Sequence, residues 1–259
     1  MPTLCDCPQS DRGQWSFRLF GVPVHVKFWF WVTTVFACYG RELGEILIWV
    51  GVCFVSILLH ELGHVFAFRL FRRDAEVVLY GFGGLAVPKG NVYGMWPEII
   101  VSAAGPFAGF CLAALTACVV AATGGRLFFG RHLFLLDIGA AISRKVLVWS
   151  HSRALWLHLT VLADDLLFVN FYWGLINLLP VWPLDGGHIS RAVLEDWDRE
   201  DGRRKSLIAS AVIGGVVAIA GLVNQSTWIM VLFGILAVSS VQLLGNERRR
   251  PIPYRRWRD

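Results

Sequence analysis

The residues His60-Glu61-Leu62-Gly63-His64 are of the types, and at the spacing, that hold a metal ion. On an α-helix, positions i and i+4 share a face and lie about 6 Å apart along the axis. Two imidazoles so placed can grip one zinc ion, and the carboxylate of Glu61 then stands close enough to work on a water activated there. A five-residue match of this kind is weak by itself, but its setting strengthens it. Residues 46–59 contain no charge, and then Glu61 falls between two histidines in an apolar span. An ionisable group at bilayer depth costs several kcal/mol, about 2.5–3.5 for a central aspartate, so something has to offset it. Arg69, Arg72 and Arg73 follow within roughly two to three turns, which sets the motif nearer the end of the span than its middle. At the very edge of a membrane, a solvated Glu61 and histidines bonded to carbonyls would need no metal.

A catalytic zinc site takes three protein ligands and keeps one position open. The best candidate for the third is Asp185, in Asn177-Leu-Leu-Pro-Val-Trp-Pro-Leu-Asp185-Gly-Gly-His188. Pro180 and Pro183 interrupt helical hydrogen bonding. Gly186 and Gly187 open backbone angles closed to other residues. The chain can therefore unwind where an aspartate has to leave a helix surface and reach a metal. Taken singly, the stretch reads as a helix stop with a solvated turn aspartate. It gains weight because it ends a span that should return to the same face as His64.

The elements that would carry these residues are apolar. The 259 residues are 56% hydrophobic and 17% charged, with a mean hydropathy of +0.56. Soluble domains carry about a quarter charged residues, so this chain has too few to coat a water-facing globule. The same figures exclude disorder, and six cysteines are too sparse for a disulfide scaffold. Apolar runs at 24–39, 46–70, 98–122, 157–179, 207–223 and 228–244 approach the roughly 20 residues that cross a bilayer core. The expected fold is an all-α membrane protein of about six transmembrane helices. The linker Gly81-Phe-Gly83-Gly84-Leu-Ala-Val-Pro88-Lys-Gly90 is expected to form a short re-entrant strand-like loop between the second and third. No connection is long enough to fold alone, so residues 1–259 are expected to be one domain, with the candidate residues inside about 43–188 and a basic tail at 246–259.

Charge orients the spans. Arg69, Arg72 and Arg73, then Arg203, Arg204 and Lys205, then the arginine tail all fall on one face of a six-span chain, which the positive-inside rule makes cytoplasmic. Both termini are then cytoplasmic, in a cell membrane and most simply a bacterial inner membrane. The segment 126–153 disagrees, because Arg126, Arg131, Arg144, Lys145 and Arg153 would lie outside. Either it is an exception or its apolar pieces enter the membrane. The tail supplies most of the formal net charge of +5 and follows an apolar span directly, which suits anionic lipid better than nucleic acid. The first 23 residues carry Asp6, Asp11, Arg12 and Arg18, so no cleavable signal peptide is expected. Cys5 and Cys7 could serve zinc or a lipid, but two ligands close no zinc site, and a flexible terminus is the simpler reading.

With these residues in place, the chain resembles the site-2 protease family (peptidase M50), intramembrane zinc metalloproteases. The segment 60–64 matches its HExxH helix. The segment 177–187 matches its Asn-x-x-Pro-x-x-Pro-x-Asp-Gly signature. Ser102-Ala-Ala-Gly105-Pro106 looks like the Gly-Pro element of its intervening span, though Gly109 stands where many relatives carry asparagine. The resemblance implies one Zn2+ per chain bound by His60, His64 and Asp185, with Glu61 as general base and acid. It suggests that Asn177 contacts the substrate or the developing oxyanion. His188 is better suited to supporting the site than to being a fourth ligand.

The function so implied is endoproteolysis of a transmembrane segment, in a membrane-anchored regulator or a remnant peptide. The partners are then a transmembrane protein substrate and the lipid bilayer, with no nucleic acid. The main rival is a catalytically inactive relative that binds a membrane partner. A complete HExxH with a complete Asp-Gly-Gly argues against it. A di-iron desaturase needs clustered histidine boxes, and the seven histidines here do not form them.

Overall fold

A computed structural model describes residues 13–247, except 39, 82, 91, 133–134 and 142–152. Residues 248–259 of the basic tail, with Cys5, Cys7, Arg144 and Lys145, lie outside the described residues. The chain forms two compact units, one from residues up to Val92 with Ala104–Gly174, the other from Tyr93–Ala103 with residues from Leu175 onward.

The first unit opens with β1 (Gln14–Leu19) and β2 (Val22–Lys27), followed by α1 (Phe28–Phe36) and α2 (Leu43–Leu70). Next come β3 (Ala75–Tyr80) and β4 (Gly83–Pro88). These strands make one sheet in the order β1-β2-β3-β4. The β1–β2 and β3–β4 pairs are antiparallel hairpins, and β2 runs parallel to β3, with Val24 opposite Val77. Parallel neighbours need a crossover, and α1 with α2 supplies it. Val22, Val24 and Val26 are buried while Pro23, His25 and Lys27 are only half-buried, the period of two that a strand with one covered face requires. The covered face packs on α2 through Val52, Ile57, Leu58, Leu62 and Val65, with Val77 and Leu79 from β3.

The all-α expectation is thus incomplete, and the first apolar run was misread. Residues 24–36 are the end of a strand and a helix of 9 residues, about 14 Å long, too short to cross a bilayer alone. The two elements nevertheless run along α2 in sequence. At one end the Arg69 guanidinium donates to the Phe20 carbonyl at 3.3 Å, and at the other Trp49 Nε1 donates to the Thr34 carbonyl at 3.2 Å. Between them Trp31 stacks on Phe54, and Phe30 meets the same ring edge-on. Trp49 to Arg69 spans about 30 Å of helix, one hydrocarbon thickness. A strand followed by a short helix therefore covers the length that a single helix was expected to cover.

Among the described residues, five helices are long and apolar enough to cross a membrane. They are α2, α3 (Met95–Ala122), α4 (Arg153–Asn177), α6 (Gly202–Val223) and α7 (Thr227–Glu247), with the shorter amphipathic α5 (Asp185–Trp197) between the third and fourth. The chain is a multi-pass membrane protein. After α3, β5 (Arg126–His132) and β6 (Leu135–Ala141) form an antiparallel hairpin. Of the apolar pieces in 126–153, residues 135–141 are strand, and the remainder of both pieces lies outside the described residues.

In the second unit α6 and α7 pack as an antiparallel hairpin closed by the turn at Asn224–Ser226. Gly214 lies against Ala237, and Gly221 against the Met230 backbone, so the two backbones come close where side chains are small.

Candidate metal centre

The helical spacing of the HExxH segment places both imidazoles on one face of α2. The Nε2 atoms of His60 and His64 lie 3.2 Å apart, with their rings nearly perpendicular at 79°. A tetrahedral ion with nitrogens at about 2.0–2.1 Å holds two of them about 3.3 Å apart, so the pair fits zinc. Both histidines and Glu61 are buried, Glu61 to 5% exposure.

Space for an ion at the two nitrogens is made by a missing side chain. A Cβ added at Gly105 would collide with Nε2 of His64 and lie 2.8 Å from Nε2 of His60. Gly63 plays a matching part on α2, where a Cβ would come 2.5 Å from the Ala104 carbonyl oxygen. Two glycines thus let α2 and α3 approach at the motif. Pro106 follows inside α3, and its missing N–H leaves the carbonyl four residues earlier without its helical donor.

Glu61 meets the sheet. A Cβ at Gly84 of β4 would collide with Cγ of Glu61 and come within 2.6 Å of Oε1. Gly84 is next to Gly83, whose φ of +136° suits glycine and little else. The strand-like loop expected after the second span contains β4, an edge strand whose second residue, Gly84, lies against the Glu61 side chain. Burial raises the pKa of the nearby Tyr80 phenol, and the negative charge of Glu61 raises it further.

The second signature folds back on itself in the other unit. Asn177 is buried at the last turn of α4, and Asp185 is the first residue of α5 and is half-buried. Between them the backbone turns through Pro180 and a cis Trp182–Pro183 bond. A Cβ at Gly186 would collide with the carbonyls of Leu178 and Leu179, and one at Gly187 would lie 2.7 Å from the Val181 oxygen. The Asp-Gly-Gly sequence is thus what allows the first turn of α5 to sit directly on the unwound backbone. His188 packs its ring against Trp182, with centroids 4.4 Å apart, which suits a supporting role.

One polar node escaped the sequence reading. Asn170 of α4, 3% exposed, donates from Nδ2 to Ser56 Oγ at 2.8 Å, one turn before His60 on α2. Gly109 of α3 faces the same amide, since a Cβ there would be 3.6 Å from Asn170 Oδ1. The departure at Gly109 thus leaves room for an amide from α4. An asparagine in the middle of an apolar span, about two turns before Asn177, was the signal that could have found it.

The peptidase family M50 model matches residues 48–221. A zinc metalloprotease of Methanocaldococcus jannaschii is 26% identical over 88% of this chain and 56% of its own length. A relative from Synechocystis sp. is 22% identical over 88% of this chain and 53% of its length. The chain thus spans about half the length of these curated relatives. The solved structure of a site-2 protease from Methanocaldococcus jannaschii shares the fold, with a TM-score of 0.53 at 20% identity over 88% of this chain and 94% of that one. The match over most of the described residues, with both signatures inside it, means that the chain belongs to peptidase family M50, the site-2 protease family its motifs resemble.

Proposed function

We propose that this protein is a zinc endopeptidase that cuts a transmembrane segment of a membrane-anchored regulator or a remnant peptide within the bilayer. The observation that carries the reading is the pair of buried Nε2 atoms 3.2 Å apart, facing the space left by Gly105, with Glu61 held under the edge strand. His60, His64 and Asp185 would hold one zinc per chain. They offer two imidazole nitrogens and a carboxylate oxygen, a donor set that catalytic zinc accepts. When bound, zinc would supply Lewis acidity, making water acidic near neutral pH and polarising a carbonyl.

Glu61 takes the proton of the attacking water and returns it to the leaving amine. The Asn177 amide hydrogen-bonds the substrate backbone or the oxyanion. A helical substrate hides its peptide bonds, so it has to unwind before attack. The free edge of β4 can then take the extended segment as an added strand and deliver it beside Glu61. The whole chain acts as one metalloprotease domain, with the chemistry in residues 43–188.

The basic residues at 69–73 and 203–205 face the cytoplasm by the positive-inside rule. If β2 and α1 make the first crossing, the count returns to six and both termini are cytoplasmic, in a cell membrane such as a bacterial inner membrane. A strand can serve there because β2 is paired on both sides.

The test uses the full chain in liposomes with a single-span substrate. Wild type should contain about one zinc and cleave. Glu61→Gln should keep the zinc and lose cleavage, and His64→Ala should lose both. Zinc without cleavage of any single-span substrate in wild type would favour the inactive partner-binding relative.

A further inference from the structure

The turn that carries Asp185 is tied to the last two helices through one hydroxyl. Leu178 and Leu179 donate their N–H groups to Leu175 and Ile176, Val181 donates to Leu179, and Leu184 donates to Val181. Pro180 and Pro183 have no N–H to place. The Trp182 N–H is the exception in the turn. It donates to Ser210 Oγ on α6 at 2.7 Å. Ser210 Oγ in turn bonds Ser240 Oγ on α7 at 2.7 Å, and Ser240 Oγ donates to the Leu236 carbonyl at 2.9 Å. Both serines are essentially fully buried, at 1% and 0% exposure.

An amide in an apolar interior needs an acceptor, and here no backbone carbonyl of the turn serves. The Trp182 ring is held as well, between His188 at 4.4 Å and the Arg191 guanidinium at 5.6 Å. The indole thus ties the turn to α5, and the Trp182 amide ties it to α6. Trp182 stands three residues before Asp185, and Gly187 lies against its amide, where a Cβ would be 2.8 Å from the nitrogen.

We infer that Ser210 is a positioning residue for the Asp185 carboxylate: with Ser240 behind it, it fixes the unwound turn so that Asp185 is presented as a metal ligand. This gives the two helices beyond the signatures a task at the metal. The inference rests on Asp185 being the third zinc ligand. Supports one bond removed from a metal ligand change affinity by roughly tenfold to a hundredfold when lost. Ser210 acts through the backbone, so about tenfold is expected.

The experiment measures zinc Kd by chelator competition on the purified full chain, beside its thermal midpoint. Ser210→Ala should raise the Kd about tenfold, and Ser210→Thr, which keeps the hydroxyl, should restore most of it. Ser240→Ala should raise it by a smaller factor. Ser206→Ala removes an equally buried hydroxyl from the same helix and should leave the Kd unchanged, whatever it does to the thermal midpoint. Asp185→Ala separates the two ideas. If it weakens zinc sharply while Ser210→Ala and Ser240→Ala match wild type, the positioning role is wrong. If Asp185→Ala leaves the Kd unchanged, the ligand assignment fails and the role falls with it. Should Ser210→Ala not accumulate, Ser240→Ala decides: a wild-type Kd overturns the inference.

Discussion

A methyl group on Gly105 and one on Gly84 would strike two different parts of the same site. At Gly105 it would fill the space in front of both imidazole nitrogens, so Gly105→Ala should lose bound zinc and, with it, cleavage. At Gly84 it would displace the Glu61 side chain and leave the histidines alone. Gly84→Ala should therefore keep zinc near one per chain while kcat falls by about a hundredfold or more, the range of a positioned acid–base group beginning there. Metal analysis of the two purified variants checks the contrast, and equal zinc content in both would overturn it. The pairing of His60 and His64 was legible beforehand, because an i, i+4 relation is a property of one helix. The glycines' role was not. Gly84 and Gly105 are 23 and 41 residues from the side chains they make room for, and nothing in the local sequence says which residue a glycine faces.

Among the elements, α4 and the connection leading into α2 are joined by an ion pair. Arg41 Nη1 reaches both oxygens of Asp165, at 3.0 and 2.8 Å, and Nη2 adds a third bond at 3.1 Å. The guanidinium also lies 4.9 Å over the Trp49 ring. Asp165 raises the pKa of Arg41 above its ordinary value, chiefly through this hydrogen bonding, so the cation persists at any working pH. Removing one partner of such a pair leaves a buried charge uncompensated. Arg41→Ala should cost roughly 1–3 kcal/mol, less than a fully buried pair, because 35% of the Arg41 side chain is exposed. The double variant Arg41→Ala/Asp165→Asn should recover part of the lost thermal midpoint. No recovery would mean that the pair acts through packing alone. At this scale the edge strand also makes a claim. Proline at Leu85, Ala86 and Val87 in turn should abolish cleavage at the position whose N–H faces outward, with zinc retained. Cleavage unchanged at all three would rule out strand addition on β4. A strand-like loop within 81–90 was expected, and β4 lies there, but β1 and β2 were not expected. A hydropathy window sums over the residues it covers, and a strand followed by a nine-residue helix sums like one apolar helix.

For the molecule as a whole, reporter fusions at residues 74, 200 and 247 should report the cytoplasm, and one at 125 the opposite face. A cytoplasmic reporter at 125 would break the alternation of α2, α3 and α4. Hydropathy, charge bias and two signatures were enough to identify a membrane metalloprotease family, because insertion, helix periodicity and ligand spacing depend on residues near one another in the chain. Tertiary structure alone decided that β2 lies parallel to β3, that β4 presents Gly84 to Glu61, and that Ser210 accepts the Trp182 amide. Those contacts join residues from 23 to more than 50 positions apart, and they exist only because packing in a medium without water forces every backbone group and buried carboxylate to find a neighbour.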